Sequence, residues 1–351
     1  MVADFRRLRR FGAGVVVAMT LVPASSTAAS NVVSASPGIS PTTASPKTSC
    51  VYARHKIDEI EAFGRLVGRP FTCALVYNNA APTWATLEQP WFVVHGNPNL
   101  NWARWVRGGV GRRLIVSQAL IPHGAPRDWR TRGAAGQYDA HAVRLAQNLV
   151  RAGLDSSVVR LAFEANGGWT IDSLGRSNAD QVAWRTYWRR FVRAMRSVRG
   201  SHFRFDWTVN AGYQPIPFAR YYPGDDVVDI VGIDAYDSSV THSRFASSAS
   251  RWEATLHQRS GLFELVAFGR MHHKPMSIPE WGLTATGAPM YGAGDDPTYV
   301  DGIAAIVRDN PVVYQSYFLS PTGGVRMMIE QAPKSLAAYR RHFGSHGDAV
   351  R

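Results

Sequence analysis

Val227-Val228-Asp229-Ile230-Val231-Gly232-Ile233-Asp234 is the stretch on which the fold turns. It is short, rich in β-branched residues, and apolar at odd and even positions alike. A strand covered on both faces, as in a parallel sheet, reads this way. Similar runs lie at 50–53, 72–77, 114–121, 158–164, 203–209, 275–280 and 312–319. Between them the apolar period lengthens from two to between three and four. Residues 56–67 place Ile57, Ile60, Phe63 and Leu66 on one helical face. Residues 179–198 do the same with Ala183, Tyr187, Phe191, Met195 and Val198. Further helices are expected at 139–152, 252–270, 298–308 and 335–343. Such faces dock helices on a sheet. Eight strands alternating with helices predict an α/β fold, a closed (β/α)8 TIM barrel.

The length agrees. The chain has 351 residues, 45% of them hydrophobic, and a barrel of this kind takes ~250. The remainder is read as a leader, a linker and a tail. Arg6-Arg7-Leu8-Arg9-Arg10, the apolar run 12–22 and Ser26-Thr27-Ala28-Ala29 have the layout of a signal peptide over residues 1–29. The paired arginines also permit a twin-arginine route. Residues 30–49, rich in Ser, Thr, Pro and Ala, read as a disordered linker. The barrel is then expected over 50–345 and a tail over 346–351. No later run is apolar for ~18 residues, so no integral membrane segment is expected after leader removal. The chain is expected to be secreted and to act as a monomer. In an oxidising compartment its two cysteines, Cys50 and Cys73, are expected to form one disulfide.

The net charge is +13, and Arg supplies nearly all of the positive residues, since Lys occurs only at 47, 56, 274 and 334. The arginines are spread along helices and no nucleic-acid motif is present, so no nucleic-acid partner is expected. A basic surface facing an anionic wall or polysaccharide is the better reading. No Gly-x-Ser-x-Gly elbow and no metal-ligand cysteine spacing is found. No metal and no cofactor is expected. His272-His273 precede the seventh strand, remote from the expected active face.

Glu164 closes the fourth run and Glu280 the seventh. In a barrel, catalytic groups sit at the C-terminal ends of strands. Either Glu alone could be a salt-bridge partner or a helix cap. Together they lie 116 residues apart, about three βα units. Strands four and seven face each other across the mouth, where two carboxyls can flank a glycosidic bond. One must be protonated and the other ionised. Phe163 and Trp169 would desolvate Glu164 and raise its pKa. Arg160, an even offset from Glu164, is expected to point inward and hold Glu280 as an anion. Asp234 and Tyr236 are expected to reach into the mouth, the phenol toward the nucleophile. Asn166, Trp169, Asn210 and Trp281 follow strand ends and are expected to bind substrate, the two tryptophans as stacking platforms.

Three segments carry a family resemblance. Arg160-Leu161-Ala162-Phe163-Glu164-Ala165-Asn166-Gly167-Gly168-Trp169 resembles the acid/base segment of glycoside hydrolase family 26. Residues 222–237, Tyr222-Pro223-Gly224-Asp225-Asp226 through Asp234-Ala235-Tyr236-Asp237, resemble that family's sixth-strand signature. Lys274-Pro275-Met276-Ser277-Ile278-Pro279-Glu280-Trp281-Gly282 is similar to its nucleophile strand. The resemblance spans about 50–345. It implies a retaining mechanism with Glu164 as acid/base and Glu280 as nucleophile. The implied substrate is a polysaccharide or oligosaccharide, foremost β-1,4-mannan. β-1,3-Xylan, mixed-linkage β-glucan or another cell-wall glycan are alternatives, and a non-catalytic carbohydrate-binding barrel is a further one. Phe163 stands where the family usually has His. Tyr317-Phe318-Leu319-Ser320 replaces a run that in its mannanases often carries Trp.

Overall fold

The computed structural model describes residues 47–344, apart from 213–215, 239–246, 287–291 and 322–327. The expected leader 1–29, most of the linker and the tail 346–351 lie outside the described residues. Eight parallel strands close into one barrel in chain order. They are β1 (Thr48–Tyr52), β2 (Cys73–Asn78), β3 (Arg113–Gln118), β4 (Val158–Leu161), β5 (Arg204–Asn210), β6 (Ile230–Tyr236), β7 (Met276–Gly282) and β8 (Val312–Phe318). The predicted (β/α)8 barrel is therefore the observed fold. β1 begins two residues inside the stretch read as linker.

Eleven α-helices are described. α1 (Ile57–Val67) follows β1. Three short helices, α2 (Trp84–Glu88), α3 (Trp91–Val94) and α4 (Trp102–Arg107), fill the space between β2 and β3. Pro90 and Pro98 interrupt the helical pattern there, because proline forfeits a helix hydrogen bond and clashes with the preceding turn. α5 (Trp129–Ala134) and α6 (Asp139–Arg151) follow β3, and α7 (Asn178–Arg196) follows β4. The single helix expected over 252–270 is corrected to two, α8 (Ser248–His257) and α9 (Leu262–Met271). The break falls at Ser260, whose φ is +57°, and Gly261. α10 (Pro297–Asp309) and α11 (Pro333–Phe343) complete the ring. Among the described residues no helix is long and apolar enough to cross a membrane.

Two apolar regions result from strand alternation. Outward residues such as Val76, Val116, Val159, Trp207 and Ile233 pack under the helices. Inward residues Cys50, Cys73, Leu75, Ile115, Val158, Ile230 and Tyr314 fill the barrel interior. Cys50 and Cys73 are disulfide-bonded there, joining β1 to β2. Above this plug the interior turns polar.

Candidate active site

The polar layer begins with Asp206 on β5. Its carboxylate accepts from Thr208 Oγ1 at 2.8 Å and from Ser277 Oγ and Tyr314 Oη, each at 2.6 Å. Burial raises its pKa. Gly232 on β6 makes room for this layer. A Cβ there would lie 2.6 Å from Asp206 Oδ1 and from Ser277 Oγ.

Arg160 lies above it, fully buried. Its Nη1 donates to Ser117 Oγ at 2.7 Å and to Glu280 Oε1 at 2.8 Å. Its Nη2 donates to Asp234 Oδ2 at 2.5 Å. Asp234 is thus corrected: it is fully buried and engaged by Arg160, not extended into the mouth. Arg160 does point inward and does reach Glu280.

Three donors converge on Glu280. Beside Arg160, Tyr77 Oη donates to Oε1 at 2.5 Å and Tyr236 Oη to Oε2 at 3.0 Å. Tyr77 was not among the expected site residues. It falls within the second run as an ordinary aromatic, and only closure of the barrel brings β2 to β7. The aim of Glu280 depends on an irregularity in β7. Ser277 points inward, so plain alternation would turn Pro279 and Trp281 inward as well. The pairing of β7 shifts register against β6 and β8 in this segment. Such a bulge re-aims side chains. Glu280 faces the interior and Trp281 faces out.

Trp281 is therefore corrected from stacking platform to core residue. It is fully buried, packs on Tyr317, Tyr339 and Phe343, and donates to Gln315 Oε1 at 2.5 Å.

Glu164 stands opposite. β4 ends at Leu161, three residues short of the expected end, and Ala162 and Glu164 both have positive φ, +51° and +52°. This is the left-handed region, uncommon outside glycine and often found at functional sites. The backbone nevertheless stays tied to both neighbours: Ala162 N donates to Gln118 O on β3 and Glu164 N to Thr208 O on β5. Asn210 Nδ2 and Trp169 Nε1 donate to the two Glu164 oxygens, each at 2.7 Å. Among the described residues Asn166 is hydrogen-bonded to no carboxylate. It exchanges hydrogen bonds with the Asn210 backbone, at 2.9 and 3.0 Å, and so sets Asn210. Trp169 is 59% exposed. Gly167 lets it fold back, since a Cβ there would lie 2.1 Å from the indole.

Burial, reinforced by the negative charge of Glu280, pushes the Glu164 pKa up to about 7 against the two donors. Phe163 covers the Arg160 guanidinium, 5.1 Å from its ring centre, and meets Tyr77 edge-on. The two carboxyls thus lie in contrasting surroundings. One is desolvated and poised to carry a proton near neutrality, and the other is met by a cation and two phenols.

A row of partly buried rings leads away from Glu280 on the side of β1, β2 and β8. Phe318 meets Tyr236 edge-on and stacks on Tyr52 at 4.5 Å. Tyr52 meets His55 at 4.9 Å, and His55 meets Trp91 at 5.0 Å. Sequence reasoning missed this row, because its members come from three separated segments.

The family model described as Glycosyl hydrolase family 26 matches residues 136–255. The matched segment is 120 of the 351 residues. It contains the Glu164 turn, Asn210 and the whole of β6. Endoglucanase H of Acetivibrio thermocellus is 25% identical over 257 residues, covering 70% of this chain and 27% of that protein. The chain thus spans about a quarter of the length of that relative. The structure of the Bacillus subtilis mannanase man26 superposes with a TM-score of 0.58 at 15% identity, over 86% of each chain. GH26C from a Muricauda species gives 0.57 at 12% identity, over 84% of this chain and 86% of that one. At these identities the structural likeness is one of fold. The resemblance to family 26 read from three motifs is borne out.

Proposed function

We propose that the chain is a retaining β-glycanase in which Glu164 is the acid/base and Glu280 the nucleophile. The observation that carries this is the contrast between the two carboxyls: a Glu164 whose pKa is raised to about 7, and a Glu280 met by Arg160, Tyr77 and Tyr236. Unequal surroundings of two carboxyls assign acid and nucleophile. Glu164 protonates the departing glycosidic oxygen as Glu280 attacks the anomeric carbon, forming a glycosyl ester. Glu164, now ionised, takes a proton from water, and the resulting attack on the anomeric carbon releases Glu280. The phenols and Arg160 receive the charge on Glu280 as it departs. Retention requires the two carboxyls to lie ~5–5.5 Å apart.

The substrate class is a β-linked polysaccharide. The partly buried rings Phe318, Tyr52, His55 and Trp91 form an apolar wall for pyranose faces on the Glu280 side, and Trp169 offers one on the Glu164 side. β-1,4-Mannan is the first candidate, in line with the mannanase structures the barrel resembles. β-Glucan is the second, because the curated relative is named an endoglucanase. Export fits the Cys50–Cys73 disulfide, with residues 1–29 as the leader.

The test is hydrolysis of mannan, galactomannan, β-1,3-xylan, mixed-linkage glucan and arabinan by wild type and Glu280→Ala. Oligosaccharide release by wild type alone, with a first-formed β-anomer, is expected. An α-anomer would overturn retention, and binding without cleavage would favour a carbohydrate-binding barrel.

A further inference from the structure

The face of the barrel opposite Glu164 and Glu280 carries an uneven distribution of charge. Strands β3, β4 and β5 are neighbours, with Ile115 in register with Val158 and Val158 with Arg204. The segments that enter them are 102–113, 151–158 and 197–204. They contain Arg104, Arg107, Arg112, Arg113, Arg151, Arg199 and Arg204 against the single acid Asp155. All of these arginines are exposed except Arg112, which is half-buried over the Trp105 ring. The segments are joined directly. Arg107 Nη1 donates to Ala152 O at 2.6 Å, and His202 N donates to Asp155 O at 2.9 Å.

Helix ends explain part of this pattern. Arg104 and Arg107 lie in the last turn of α4 and Arg151 in the last turn of α6, where a cation offsets the helix dipole. Arg112 is tied to α4, where its Nη1 donates to Trp105 O at 3.0 Å; Arg113, Arg199 and Arg204 lie outside helices and need another reason. Neighbouring arginines show what a structural role looks like here. Arg189 and Arg193 pair with Asp226, and Arg196 with Asp229. Among the described residues none of the seven arginines of the patch is in an ion pair.

We infer that this N-terminal face is a docking surface for an acidic polysaccharide with repeating carboxylates, separate from the cleft at the other end of the barrel. The guanidinium fork matches a carboxylate with two parallel hydrogen bonds. The arginines come from the ends of three segments and not from one helix or ribbon that could enter a duplex groove, and no open aromatic face is presented for stacking single-stranded bases, because Trp105 is buried beneath Arg112. Among the described residues its only fully exposed large apolar side chain is Val110 at the tip of the α4–β3 turn, too little to insert into lipid. Docked this way, the chain would hold its opposite face toward the surrounding matrix.

The experiment measures binding of the full chain to immobilised polygalacturonate, in parallel with double-stranded DNA, poly(glycerol phosphate) and anionic phospholipid vesicles. Binding at about 0.05 M salt and release by about 0.5 M is expected. Arg113→Glu/Arg199→Glu/Arg204→Glu should weaken it more than about tenfold. Arg127→Glu/Arg132→Glu/Arg176→Glu, with the same change in net charge, should weaken it by less than about threefold. Thermal melting identifies any variant that fails to fold. Arg113→Lys/Arg199→Lys/Arg204→Lys serves as a milder variant, expected to bind more weakly than wild type because the fork is lost. Equal effects of the two reversed triples, no retention of wild type, or tighter binding to any other probe would overturn the inference. Polysaccharide hydrolysis plays no part in this readout, so it stands or falls apart from the catalytic reading.

Discussion

Arg160 Nη1 meets Glu280 Oε1 at 2.8 Å, crossing the barrel interior from β4 to β7. The same guanidinium holds Asp234 through Nη2, so one buried cation serves two buried carboxylates. Removing one partner of a buried ion pair leaves uncompensated charge and costs about 3–5 kcal/mol. Arg160→Met should therefore lower unfolding stability by roughly that amount, read as a fall in the urea midpoint. An unchanged midpoint would mean that the pair contributes nothing net.

The raised pKa of Glu164 sets a pH profile. As the acid it must be protonated, so kcat/KM should fall with an alkaline limb near pH 7. Glu164→Gln should remove that limb and lose about 10²–10⁴ in kcat on unactivated glycosides. Stability should change in the same window. A carboxyl whose folded pKa lies above its unfolded value stabilises below the unfolded value, and that contribution is lost as pH rises through the folded one. The melting temperature of Glu164→Gln relative to wild type should therefore rise between pH 5 and pH 8.

Two tryptophans near strand ends should behave oppositely. Trp281→Ala empties a core site and should cost about 3–5 kcal/mol, seen in thermal or urea unfolding. Trp169→Phe should leave stability nearly unchanged. It removes an N–H that favours ionised Glu164, so the alkaline limb should move to higher pH. Movement to lower pH would show that this hydrogen bond does not act as the geometry indicates.

Tyr77→Phe deletes one of the three donors on Glu280. A hydrogen bond to a charged group is worth about 1.5–3 kcal/mol, so kcat/KM should fall about tenfold to a hundredfold. Folding should persist, since the ring stays packed against Tyr52 and Phe163. Steady-state kinetics beside a thermal melt separates the two effects.

The Cys50–Cys73 bridge closes a loop of 23 residues between β1 and β2. Replacing both cysteines with serine should cost about 2–4 kcal/mol, measured by chemical denaturation under non-reducing conditions.

The sequence alone determined the barrel, because strand and helix periods are local properties of the chain. It also singled out Glu164, Glu280 and Arg160, whose motifs are contiguous. The inward aim of Arg160 is as expected, although the even offset to Glu164 that pointed to it runs past the end of the regular strand. Where backbone regularity failed, so did the reading. β4 stops at Leu161, and two left-handed residues, not strand alternation, orient Glu164. The irregular pairing of β7 turns Trp281 into the core and Glu280 into the interior. The α8–α9 break at Ser260 and Gly261 interrupts what reads as one amphipathic run. Asp234 could not be distinguished from a mouth residue until Arg160 was seen to claim it. Tyr77 and the row of rings from Phe318 to Trp91 come together only when β1, β2 and β8 close the barrel. Those contacts join residues far apart in the chain, and a linear pattern carries no record of which strands will meet.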